Sequence, residues 1–172
     1  MFREMRRKKQ LLSEEETIEI LKRGTAGVLS VYGDDGYPYG VPLSYVYDNS
    51  KLYFHCAKTG HKLDGIKNHS KVSFCVIDQD HVVPHEYTTY FASVIVFGKA
   101  KIMENDEEKR RAIETLALRY HPTDTKEHRE EMIQREYGIM TMVEVDIEHM
   151  TGKKAIELVR EAEKGKAGDC CK

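Results

Sequence analysis

Gly40-Val41-Pro42-Leu43-Ser44-Tyr45-Val46-Tyr47-Asp48-Asn49-Ser50-Lys51-Leu52-Tyr53-Phe54-His55-Cys56 reads as two strands, Gly40–Tyr47 and Lys51–Cys56, around the turn Asp48-Asn49-Ser50. Just upstream, Ala26–Tyr32 is another β-prone run, and Gly33-Asp34-Asp35-Gly36 turns the chain out of it. A parallel crossover needs about a dozen residues or more, so links this short force antiparallel neighbours. Pro42 cannot donate to a ladder, which places the start of its strand at an edge or a bulge. The sheet is antiparallel from its first three strands.

Working outward, Ser13-Glu14-Glu15-Glu16 is a capping box. It opens a helix with Ile18, Ile20 and Leu21 as its apolar face and Gly24 as its stop. Downstream, a short helix is predicted over 62–68, a fourth strand over 71–77, a loop around His81–His85 and a long fifth strand over 90–103. Asn105 and Glu108 start a helix that His121-Pro122 ends, with Ile113, Leu116, Ala117 and Tyr120 as its stripe. A more exposed helix (125–135), a sixth strand (139–147, Glu144 and Asp146 facing outward) and a closing helix (155–163) complete the pattern. The expectation is a mainly β protein: a small closed or half-open six-stranded antiparallel β-barrel with flanking helices. It is expected as one domain over 13–163, between a basic N-terminal arm (1–12) and a loose C-terminal tail (164–172).

The 172 residues, 40% hydrophobic and 33% charged, suit a single soluble domain. No apolar run reaches the roughly 20 residues a bilayer requires, so no membrane partner is expected. Twenty-seven Lys+Arg against 29 Asp+Glu, a net charge of −2, give no reason to expect nucleic acid. The basic arm (Arg3, Arg6, Arg7, Lys8, Lys9) has no apolar segment after it and is not a secretory signal. Cys56, Cys75, Cys170 and Cys171 are then reduced thiols, and the expected compartment is cytoplasmic. The histidines and cysteines match no metal-ligand spacing, so no metal is expected. Phosphate-loop, GxGxxG, HExxH, CxxC and GxSxG motifs are all missing.

Chemistry concentrates in His55-Cys56-Ala57-Lys58-Thr59-Gly60-His61-Lys62, which leaves an apolar strand and opens a helix. A helix start offers unpaired N–H groups and a positive dipole end, and Lys58, Thr59, His61 and Lys62 add donors and charge. The segment reads either as a phosphate site or as a solvated turn. His55, after Leu52-Tyr53-Phe54, is either a structural histidine or a hydrogen-bond and proton donor near neutral pH. Tyr37, Tyr39, Tyr45 and Tyr47 crowd the second hairpin, as core, interface or the wall of a planar ligand site. Phe91-Ala92-Ser93-Val94-Ile95-Val96-Phe97-Gly98 is apolar on both faces, which implies burial in the barrel or against another subunit.

Five stretches resemble the FMN-binding split-barrel superfamily of pyridoxamine 5′-phosphate oxidase, and within it the nitroimidazole-resistance (Nim) group. They are Arg23-Gly24-Thr25-Ala26, Val41–Tyr47, Tyr53–Ala57 with Gly60-His61-Lys62, Ser93–Ala100, and Met150-Thr151-Gly152-Lys153 as a closing turn. The resemblance implies a six-stranded split barrel and a homodimer with two interface flavins, FMN or FAD. It implies that Val41, Pro42, Leu43, Ser44 and Tyr45 run beside the flavin ring, and that His55, Cys56, Ala57, Thr59, Gly60, His61 and Lys62 hold its phosphate. The partner subunit would contribute around Ser93, Val94 and Ile95. His55 falls where the Nim group carries a substrate-facing histidine, which implies a catalytic, substrate-positioning or proton-donating role. The oxidases begin their second-strand segment with Arg and end it with Lys; Val41–Val46 carries no positive charge, and the tail lacks a basic substrate segment. The implied activity is a flavin-dependent oxidoreductase, such as a reducer of nitroimidazoles or other nitro-aromatics, rather than an oxidase of pyridoxamine phosphate. The alternatives are a flavin carrier or redox sensor without turnover, a haem-binding split barrel, and a purely structural dimer.

Overall fold

In the computed structural model, which describes residues 1–169, Ser13 starts α1 (Glu14–Arg23) with both halves of the capping box. The Ser13 hydroxyl accepts from the Glu16 N–H at 3.1 Å, and the Glu16 carboxylate accepts from the Ser13 N–H at 2.9 Å. Seven strands follow: β1 (Ala26–Tyr32), β2 (Pro38–Ser44), β3 (Val46–Asp48), β4 (Lys51–Ala57), β5 (Lys71–Val83), β6 (Thr88–Ile102) and β7 (Met140–Lys154). They form one antiparallel sheet in the order β2-β1-β5-β6-β7-β4-β3. The two edge strands, β2 and β3, are joined by Tyr45 alone. A sheet whose opposite edges are one residue apart must curl until they meet, giving a barrel with a seam at Tyr45.

The seam corrects the expected strand count. Gly40–Tyr47 is two strands, because Tyr45 leaves the ladder and drives its ring into the core, 0% exposed. Its hydroxyl donates to the Leu21 carbonyl at 2.8 Å, and its ring meets Phe74 edge-on. The freed backbone is satisfied by Tyr120, the last residue of α3 (Asp106–Tyr120). The Tyr120 hydroxyl accepts from the Tyr45 N–H at 3.1 Å, and its one proton faces the carbonyls of Tyr45, at 3.0 Å, and Thr25. Arg119 beside it donates to the Lys22 and Arg23 carbonyls at 3.0 and 2.7 Å, capping the end of α1. Tyr120→Phe keeps the ring and strands these partly buried groups; a loss of about 1–3 kcal/mol is expected in urea unfolding.

Elsewhere the β5–β6 hairpin is longer than expected. His81 pairs with Tyr90 and Val83 with Thr88, because the β-branched residues on both arms continue the ladder until Pro84 turns it. Met150–Lys153 is likewise strand, paired with Ser93–Val96, not a closing turn. α2 (His61–Asn68) and α4 (Lys126–Tyr137) are at the expected places, and α5 (Ile156–Asp169) runs on past Glu163. The basic residues of the N-terminal arm are exposed, while Gln10 and Leu12 are buried and the Leu12 N–H donates to the Gly152 carbonyl at 3.0 Å. Cys170 and Cys171 lie outside the described residues. Among the described residues no helix is long and apolar enough to cross a membrane.

Alternation along β4 separates two cores. Leu52, Phe54 and Cys56 point into the barrel with Leu29, Phe74, Val94, Val96, Val143 and Val145. Tyr53 points the other way, into a second cluster with Ile113, Leu116, Ile133, Met140 and Met142 between the sheet and α3–α4. Glu144 also faces away from the barrel, as expected, yet is 4% exposed, because Lys51 and Lys101 on the flanking strands donate to its Oε1 at 3.0 and 3.1 Å. Burial pushes this carboxyl up, but the two ammonium groups outweigh it and hold it below the usual range. A carboxylate depressed in the folded state stabilises above its unfolded pKa, about 4.3, and loses that contribution as pH falls through the folded value. Glu144→Gln is therefore expected to melt lower than the parent chain at pH 7, with the gap closing as thermal melts are repeated below about pH 4.

Candidate functional site

β2 is an edge strand, so one side of its backbone is unpaired along Val41, Pro42, Leu43 and Ser44. Tyr39, Val41 and Leu43 lean on the barrel core; Gly40, Pro42 and Ser44 are exposed. Beside this edge stands the start of α2. Its His61 ring stacks on Tyr39 with centroids 4.2 Å apart and approaches Asp34 of the β1–β2 turn at 3.7 Å. Strand edge and helix start, two segments far apart in sequence, thus meet on one side of the molecule.

The helix start leaves backbone donors open to solvent. Gly60 precedes it at φ +133, in a conformation L side chains rarely adopt, with nothing within 4 Å of where a Cβ would be. No side chain caps it, so the first N–H groups of α2 face outward with the dipole. Lys58, Thr59 and Lys62 surround it and form no ion pair or hydrogen bond among the described residues through their side chains. The donors and charges present fit a phosphate group such as a flavin nucleotide carries.

His55 shares the outer face of β4 with Lys51 and Tyr53 and is the exposed member of the three. It is exposed and makes no hydrogen bond or ion pair among the described residues. It opens onto a cleft of about 370 Å³ beneath α3 and α4, whose rim includes Ser44 at the end of β2. Two larger cavities, about 630 and 400 Å³, lie against the N-terminal arm and touch none of the expected site residues.

Three expected contacts have side chains turned inward. Tyr45 is locked into the seam through both its ring and its backbone, so it shapes the site from behind and does not line it. Cys56 is buried in the barrel, where burial pushes its thiol up against the opposing charge of Lys62. Val94 is fully buried too. Ser93 and Ile95, by contrast, face outward, but on a sheet region separated from β2 by two strands. The structure brings together Val41–Ser44, His55 and Ala57–Lys62; it does not bring Ser93–Ile95 to them within one chain.

Residues 13–154 match the family model described as pyridoxamine 5′-phosphate oxidase. The chain belongs to the pyridoxamine 5′-phosphate oxidase family. The split sheet, with its seam at Tyr45, is similar to a candidate 5-nitroimidazole antibiotic resistance protein from Bacteroides thetaiotaomicron: TM-score 0.72, 22% identity, 84% of this chain and 86% of that one. It is also similar to a FAD-binding protein from Mesorhizobium loti, with TM-score 0.63, 22% identity, and 85% and 97% coverage. A FAD and haem binding protein from Mycobacterium smegmatis matches at TM-score 0.69 and 17% identity, over 86% and 73% of the two chains. Among curated proteins no sequence matches. At these identities the likenesses bear on the fold of this family member.

Sequence reading placed Tyr120 on the buried stripe of its helix but missed that it and Arg119 hold the seam behind Tyr45. It also missed that α4 shares a cleft with His55, although Met132-Ile133 is a short apolar patch in an otherwise polar helix.

Proposed function

We propose that the protein is a flavin-dependent oxidoreductase that holds FMN, or the FMN half of FAD, at the β2 edge, and that it works as a homodimer. The observation carrying this reading is the meeting of an open strand edge with an uncapped, lysine-flanked helix start, in a chain of this family. When bound, the flavin supplies the redox chemistry. The chain's part is to bind, orient and donate. Lys58, Thr59, Lys62 and the first N–H groups of α2 hold the phosphate, and backbone groups from Val41 to Ser44 orient the ring's polar edge. The free imidazole of His55 positions the acceptor or gives it a proton.

The dimer reading rests on the outer sheet face. Pro42, Val28, Cys75, Ile95 and Thr151 lie in one row across β2, β1, β5, β6 and β7. Val28, Ile77, Ile95 and Phe97 leave this face apolar and exposed, and a second copy would both cover it and bring its own Ser93–Ile95 towards the flavin. Nitro-aromatic compounds, nitroimidazoles among them, are the proposed acceptors, since no cation stands along Val41–Val46 to receive a substrate phosphate.

The test is an absorbance spectrum of the purified protein, chromatography of what denaturation releases, and light scattering for the mass. Flavin bands, released FMN or FAD, and a dimer are expected. A colourless protein that takes up neither flavin overturns the reading, and a Soret band replaces it with haem. For turnover, His55→Ala is expected to lower kcat for a nitro-aromatic acceptor about a hundredfold while FMN affinity stays unchanged; equal kcat would remove His55 from the chemistry.

A further inference from the structure

We infer that the cleft under α3 and α4 is the acceptor site, and that it selects a flat neutral or singly cationic aromatic compound over an anionic one, with Glu136 facing the cation. What happens to the acceptor rests on the flavin reading; where it binds does not.

The cleft, about 370 Å³, is at the small end of ligand pockets and suits one or two rings. Its walls are Ile113, Leu116, Ala117, Met132, Ile133 and Met140. Unbranched thioethers adapt to a ring face and make favourable sulfur–aromatic contacts, so the two methionines suit a planar guest. Four lining residues carry polar side-chain groups: Ser44, His55, Tyr120 and Glu136. The Tyr120 hydroxyl is committed to the seam. His55 has no partner among the described residues, and Ser44 adds a hydroxyl beside it.

Charge decides the selectivity. Among the described residues no lysine or arginine lines the cleft, and the lining residues with ionisable side chains, the committed Tyr120 aside, are His55 and the half-exposed Glu136. Arg135, which is not a lining residue, engages only Oε1 of that carboxylate, at 3.2 Å. A guest bearing a carboxylate or phosphate would lose water, find no lysine or arginine among the described lining residues and face a like charge. A guest with a protonated amine gains a partner for it. Because Ser44 ends β2 and His55 lies in the cleft floor, a guest here is next to the edge where the flavin is proposed.

The probes are 4-nitrobenzylamine, 4-nitrobenzyl alcohol and 4-nitrobenzoate, which vary the charge on one ring. Binding to the full-length protein is measured by titration calorimetry, with and without saturating FMN. The amine is expected to bind at least about tenfold more tightly than the benzoate, with the alcohol between. Glu136→Gln is expected to shrink the amine-to-benzoate ratio to about twofold and to leave the alcohol unchanged. Filling the cleft with Ala117→Phe, or from the other wall with Met132→Trp, is expected to weaken all three about tenfold, with melting curves confirming the fold. Benzoate binding as tightly as the amine, a ratio unmoved by Glu136→Gln, or affinities untouched by both filling substitutions would each overturn the inference. A protein that refuses FMN but keeps the charge ranking and the substitution effects supports the cleft and overturns the flavin reading alone.

Discussion

Lys58→Ala/Lys62→Ala is expected to bind FMN about a hundredfold more weakly than the parent chain. Each ammonium is available for a charge-assisted hydrogen bond to a phosphate, worth about 1.5–3 kcal/mol apiece, and two such losses exceed two decades in affinity. The helix start stays in place, so residual binding through the N–H groups of α2 is expected to remain. Fluorescence titration of FMN reads the effect. Added salt should weaken the parent chain more than the double variant, because screening acts on charges the variant no longer has. Affinity within about threefold of the parent would move the phosphate away from this loop.

Gly98→Val is expected to cost more than about 3 kcal/mol, or to leave no folded protein at all. Gly98 lies on β6 where its pairing with β7 shifts register. A Cβ there would collide with the Asp146 carbonyl oxygen and come within 3.0 Å of Val145 Cγ1. The obstacle is backbone of the neighbouring strand, which cannot swing aside as a flexible side chain can. Gly138→Ala is the control: φ is −70 and a Cβ would meet nothing within 4 Å, so its stability in urea should match the parent chain.

The antiparallel order of the early strands was legible because the links around Asp34 and Asn49 are too short for any other topology. The lysine-flanked helix start was legible because Lys58, Thr59, Gly60 and Lys62 are consecutive or nearly so, and Gly60 is where the chain turns into α2. The break at Tyr45 was not. Nothing local distinguishes Tyr45 from Tyr47; what breaks the strand is a partner 75 residues away, Tyr120, whose hydroxyl replaces the missing ladder bonds. The cleft was hidden for a similar reason. Met132 and Ile133 gave too weak a stripe to orient α4, and only the packed structure shows that they line one cleft with His55. The length of the β5–β6 hairpin was masked by His81 and Asp80, polar residues on exposed positions of a strand that read as loop.

The strand order also dictates what the chain can accomplish while it is being synthesised. β4 finds its main partner only in β7, Lys51 against Asp146 and Ala57 against Met140, and β7 separates it from β6. Until residues 140–154 leave the ribosome, β4 has only the three-residue β3 beside it, with Leu52 and Phe54 exposed. β1, β2, β5 and β6 can assemble early, but the far side of the barrel waits for the last strand. Such late, long-range closure is slow and leaves sticky edges waiting. A nascent chain stalled before residue 140 is thus the form of this protein most in need of a chaperone, even though the partners of the Tyr45 seam, Leu21, Phe74 and Tyr120, have by then been made.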